Sequence, residues 1–155
     1  MVDGGRLYVL SGFTNSSDQG YGILVSVTND ILVGTGSWIT ARCDSTNAAS
    51  PLFVMSNLTI ETDGGMEAIG GGYQWARGPG TDLPGGTSMG GGGYGGRGGG
   101  GNDPRFGGPT YGSLTAPVDP GSAGMGHSAN LFAPGWGGGV LRIQAAGTVT
   151  LRGVM

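Results

Sequence analysis

ILVSVTNDILVGTGSWITA, Ile23–Ala41, and LFVMSNLTIETDGGMEAIG, Leu52–Gly70, are the stretches whose reading decides the fold. Each opens with a run of β-branched and large apolar residues and breaks on polar residues. Each then resumes as a second short run, turns on glycine and starts a third. The second copy begins 29 residues after the first. A third, VLRIQAAGTVTLRGVM, begins at Val140, 88 residues after the second, which is the same repeat with a long Gly-rich insertion lodged in it. Periods of this size mark stacked units, none of which buries its apolar face alone. The pattern predicts an all-β chain built as a right-handed parallel β-solenoid of the β-helix kind, with a β-sandwich as the alternative.

Working outward, the same signals place strands at Leu7–Leu10, Ile23–Val27, Ile31–Val33, Trp38–Ala41, Leu52–Met55, Leu58–Glu61, Met66–Ile69, Val140–Gln144 and Thr148–Arg152. No stretch longer than a turn has apolar residues at helical spacing, so almost no helix is expected. Three regions differ in composition: solenoid strands over 1–69, a Gly/Pro-rich insertion over 70–139, and the final solenoid strands over 140–155, all within a single domain. The apolar positions that recur across the repeat are Val25, Val27, Ile31, Val33, Val54, Leu58, Ile60, Leu141, Ile143, Val149 and Leu151. They are the expected core.

The insertion includes MGGGGYGGRGGGGN, Met89–Asn102, which carries almost no side-chain mass. Composition alone gives a flexible linker. Backbones without a Cβ can also approach closely enough to pack on one another in extended, polyproline-like segments. In that arrangement Tyr73, Trp75, Tyr94, Phe106 and Trp136 are the scarce anchors, and residues 90–101 gain order only against another glycine-rich strand or a neighbouring subunit.

Of the 155 residues 38 are glycine, only 11% are charged, and all seven basic residues are arginine. Ordinary soluble domains are about 25% charged, so this is a surface suited to packing against something. A net charge of -3 offers no basic field for nucleic acid. Cys43, the sole cysteine, excludes an internal disulfide and a multi-cysteine metal site. No apolar run approaches the ~20 residues of a membrane span. Met1–Gly5 lacks the regions of a signal peptide, so an exported protein would carry its signal elsewhere.

The chemical motifs are weak. Gly86-Thr87-Ser88-Met89-Gly90 matches a nucleophile elbow, but the strand and helix that must flank it are missing from the pattern. The G-x-G-x-x-G matches near 90–101 have no helix to receive a phosphate. Gly98–Asp103 starts like a calcium-binding nonapeptide, but Arg105 stands where a large apolar residue belongs. His127 is the sole histidine, without a recognisable triad. Cys43 reads as a small core residue, and Arg97 alone cannot do the work of an arginine-rich tail. Asn15-Ser16-Ser17 and Asn57-Leu58-Thr59 are glycosylation sequons. No catalytic, metal or cofactor residues are assigned, and the chain reads as a non-enzyme.

GGPTYGSLTAPVDPGSAG, 107–124, followed by GGGVLRIQAAGTVTLRG, 137–153, resembles a module of large Gly-rich extracellular proteins of bacteria and some protists. There, a YGS-x-x-x-P-x-x-x-GS-x-G stretch leads through glycines into paired short strands. The resemblance implies a solenoidal, adhesin-like surface scaffold without catalytic residues. It departs from the family after Arg152, where the relatives continue into a further strand.

The combined expectation is an extracellular or cell-surface structural subunit that assembles with itself into a filament, sheath or surface layer. The alternative is an adhesin or viral-fibre-type module whose partner is a cell surface or glycan. Leu7, Val9, Tyr94, Val149 and Leu151 are the candidate assembly residues. In this expectation the Thr148–Arg152 edge is completed by the Leu7–Leu10 run of a neighbour.

Overall fold

A computed structural model describes residues 4–12, 20–46, 49–81, 90–101, 107–126 and 135–155. Among them are nine strands: β1 (Arg6–Leu10), β2 (Ile23–Ser26), β3 (Ile31–Val33), β4 (Trp38–Arg42), β5 (Pro51–Met55), β6 (Leu58–Ile60), β7 (Gly65–Glu67), β8 (Arg142–Ala145) and β9 (Val149–Leu151). They form three three-stranded sheets, ordered β1-β4-β7, β2-β5-β8 and β3-β6-β9, and every ladder is parallel. The chain visits the three sheets in rotation. Each parallel crossover is therefore made by strands of the other two sheets, where helices usually make it. A sandwich would instead pair its strands antiparallel in two sheets.

The register refines the repeat. Ile23 pairs with Pro51 and Ile31 with Leu58, so the first two passes are offset by 28 and 27 residues, not by 29. Leu52 pairs with Arg142, a step of 90 where apolar content alone aligned Val140. β1 belongs to the first pass as well, since Leu7 pairs with Ile39.

The passes repeat because their corners do. Ser37 N–H donates to Gly34 O at 3.0 Å and Gly64 N–H to Glu61 O at 3.0 Å. The third residues of these two turns, Gly36 (φ 69°) and Asp63 (φ 62°), both lie in the left-handed region, which glycine and aspartate tolerate best. At another corner Asn57 ties all three passes together. Its Nδ2 donates to Asp30 Oδ1 at 2.8 Å and its Oδ1 accepts from Thr148 N–H at 2.7 Å.

Alternate side chains point into a shared apolar interior. Val9, Val33, Ile39, Ala41, Phe53, Met55, Leu58, Ile60 and Met66 are buried there, with Val25, Val27, Ile31, Leu141 and Ile143 packed against them. Val54 is only half-buried, because the inward phase of β5 falls on Phe53 and Met55. Val149 and Leu151 are 46% and 52% exposed. They stand in the same columns as buried Leu58 and Ile60, but among the described residues β9 is the outer strand of its sheet and no further pass lies over it.

The described glycine-rich segments are held by a backbone network of a different kind. In a ladder, a residue's N–H and C=O turn to the same neighbouring strand. Here they turn to different segments and close triangles. Tyr73 N–H donates to Gly121 O, Gly121 N–H to Gly138 O, and Gly137 N–H back to Tyr73 O. Gly91 donates to Gly99, Gly98 to Gly108, and Gly108 back to Gly91, at 2.8–3.1 Å. A Cβ on Gly72, Gly92, Gly93, Gly98, Gly107, Gly108 or Gly137 would overlap a neighbouring backbone carbonyl. Residues 90–101 accordingly lie against residues 80, 108, 111 and 125.

Candidate assembly surfaces

The strands of the first pass, β1–β3, and of the last, β7–β9, are the outer strands of the three sheets. Each outer pass leaves inward-facing apolar side chains open. On the first-pass side Leu7 is 46% exposed although its column continues into Ile39 and Met66, both buried. A cavity of about 190 Å³ opens there between Leu7, Val25, Val27, Ile31, Ile39 and Phe53. On the last-pass side Val149 and Leu151 are exposed. Beside β7, a cavity of about 430 Å³ is lined by Trp38, Met66, Ala68, Leu141, Val154 and Met155, among others. The edge of β7 is partly covered by Val154, which forms a parallel bridge with Gly65.

Polar side chains on the outer faces reinforce the stacking of passes. Arg6 Nη1 donates to Glu67 Oε1 and, at 3.0 Å, to Thr40 Oγ1, while its guanidinium lies 5.3 Å from the Trp38 ring centroid. One side chain thus spans three strands. Arg152 Nη1 donates to Glu61 Oε1 at 2.8 Å, and the Arg42 guanidinium sits over Tyr8. Trp38 has room because Gly65 stands next in its column; a Cβ on Gly65 would lie inside the indole.

Of the five candidate residues, Leu7, Val149 and Leu151 stand on the open outer strands, while Val9 is buried in the core. Tyr94 belongs to the glycine-rich region, edge-on to Tyr111 with ring centroids 5.0 Å apart. The expected meeting of Thr148–Arg152 with a Leu7–Leu10 run joins strands of different sheets, since β9 shares its sheet with β3 and β6.

The other motif residues are structural or lie outside the described set. Residues 82–89, 102–106 and 127–134, which hold most of the elbow motif, the end of the calcium-like motif and His127, lie outside it, as does Asn15. Cys43 is buried, and burial pushes its thiol pKa up, which keeps it protonated. Burial, then the negative charge of Asp119 and Asp44, raises the Tyr73 phenol; Tyr111 is raised chiefly by burial. Among the described residues no three His, Cys, Asp or Glu side chains gather where a metal could bind, and no helix is long and apolar enough to cross a membrane.

The roles of Tyr111, Gly112, Ser113 and Ser122 were hidden in the sequence. Gly112 has φ 69° and lies against the Tyr94 ring. Ser113 Oγ accepts from Ala116 N–H at 3.0 Å, and Ser122 Oγ accepts from Gly80 N–H at 2.8 Å. Tyr111 donates its hydroxyl to Pro120 O. The YGS…GS spacing was the available signal, and it encodes packing of the glycine segments. No protein-family model, curated protein or solved structure matches this chain.

Proposed function

We propose that this chain is a non-catalytic structural subunit of an extracellular filament, sheath or surface layer, a parallel β-solenoid protomer that joins others through its outer strands and its glycine segments. The observation that carries the reading is the pair of open outer passes. Leu7, Val149 and Leu151 stand half-exposed in columns whose inner members are buried. A second copy translated along the stacking direction would set β3 on β9 and β2 on β8, continuing ladders the chain already makes. Unpaired strand edges are ready templates for such addition, and a head-to-tail contact that does not close gives a filament. The low charge, the glycine content and the resemblance to Gly-rich surface modules support the extracellular setting.

Electron microscopy with sedimentation velocity tests this. The expected result is filaments or sheets whose mass grows with concentration; a stable monomer at high concentration overturns it. A second reading, an adhesin-like module, rests on exposed indoles. Trp75 is 64% and Trp136 49% exposed, and Trp75 is held at φ 55°, an uncommon and strained backbone for a bulky residue. Under that reading a monomeric chain binds glycans, and Trp75→Ala weakens the binding.

A further inference from the structure

The cavity beside β7 and the strand β1 match each other column by column. In the chain, Leu7 stands over Ile39 and Val9 over Ala41. Those columns run on to Met66, paired with Ile39, and, by continuation of the register, to Ala68. Met66 and Ala68 line the 430 Å³ cavity. Val154 occupies the register position next to Gly65 that Arg6 and Trp38 hold in the earlier passes. Its seat is slight: Val154 N–H donates to Gly64 O at 3.0 Å, Met66 N–H donates to Val154 O at 3.1 Å, and both Val154 and Met155 are more than half exposed.

We propose that this cavity is the seat for β1 of a second copy, Arg6–Leu10, which displaces Val154–Met155 from the edge of β7. The proposal rests on the assembly reading and adds to it the occupant, the register and a competitor. The incoming strand brings five residues where the bridge at Val154 pairs one. It places Leu7 against Met66 and Tyr8 beside Glu67, as β1 already sits on β4, and brings Val9 to Ala68, whose carbonyl the N–H groups of Gly71 and Gly139 already hold. This seat is in phase with β2 on β8 and β3 on β9, so one translation extends all three sheets. Val154–Met155 then acts as a plug that must leave before a copy docks, and its grip sets how readily assembly starts.

Two measurements test this. Val154→Pro removes the N–H that bonds Gly64 O. Loss of one such bond should lower the critical concentration for assembly roughly two- to tenfold; an unchanged or raised threshold in a variant of native circular dichroism overturns the plug. The seat is read by mixing Tyr8→Cys and Glu67→Cys proteins under mild oxidation. Within one chain these positions are two strands apart, about 9–10 Å, beyond disulfide reach, so a crosslink reports contact between copies. The expected product is the mixed dimer, and neither homodimer. A crosslink between Tyr8→Cys and Thr150→Cys instead, or filaments without any crosslink, overturns this seat and leaves the assembly reading standing. A chain that neither crosslinks nor sediments above monomer overturns both.

Discussion

Gly108→Ala should loosen the glycine-rich region, while Gly99→Ala nearby should not. A Cβ on Gly108 would collide with Gly80 O and come within 2.7 Å of Gly93 N. Both are backbone atoms, so no side chain can swing aside and the segments themselves must part. Three hydrogen bonds meet there: Gly98 N–H to Gly108 O at 2.9 Å, Gly108 N–H to Gly91 O at 3.1 Å and Gly93 N–H to Gly80 O at 2.7 Å. At about 0.5–1.5 kcal/mol net each, their loss costs about 1.5–4.5 kcal/mol locally. Amide hydrogen exchange is the assay. Protection at the amides of residues 93, 98 and 108 should fall on the order of ten- to a thousand-fold. Gly99 has open space around its Cβ direction, so alanine there should be neutral or stabilise by about 0.4–1 kcal/mol through the unfolded chain. Unchanged protection in Gly108→Ala, or equal damage from Gly99→Ala, would refute close backbone contact as the source of order in this region.

Phe53, 1% exposed between Val25 and Ile143 in the ladder, should cost about 3–5 kcal/mol in denaturant unfolding when replaced by alanine. Val149→Lys with Leu151→Lys should abolish assembly in sedimentation while the protomer keeps its β circular dichroism, because both side chains are already about half exposed and a lysine stem can reach water from there. The raised pKa values of Cys43, Tyr73 and Tyr111 mean that the folded chain holds those protons more tightly than the unfolded chain. Their stabilisation is full below pH 9 and lost as the pH rises through the folded values above 9.0 and 10.0. Unfolding midpoints should therefore decline above pH 9, and Tyr73→Phe should flatten that decline; a midpoint that rises with pH there contradicts the assignment.

All nine strands were legible, because runs such as Ile31-Leu32-Val33 and Leu58-Thr59-Ile60 are bounded by turn residues that break every alternative. Their phase was less so. At Leu52–Met55 four consecutive apolar residues leave the inward face undetermined, and only pairing with β2 and β8 fixes it on Phe53 and Met55. Exposure of Val149 and Leu151 was not legible either: alternation says which way a side chain points, not whether another pass covers it. In the glycine segments, sequence gave the freedom to approach but not which glycines meet, since Gly108 and Gly99 differ only in what lies beside them. Val154 on the β7 edge left no local signal, as a two-residue bridge has no pattern of its own.

The axial rise per subunit in the assembled material, read by cryo-electron microscopy or fibre diffraction, bears most directly on the central claim. The described residues of each copy contribute three strand levels to every sheet. At about 4.7–4.9 Å per level the rise should be about 14–15 Å, with strands perpendicular to the fibre axis. A rise unrelated to three strand levels, strands running along the axis, or particles with no axial repeat would contradict assembly by continuation of the three sheets.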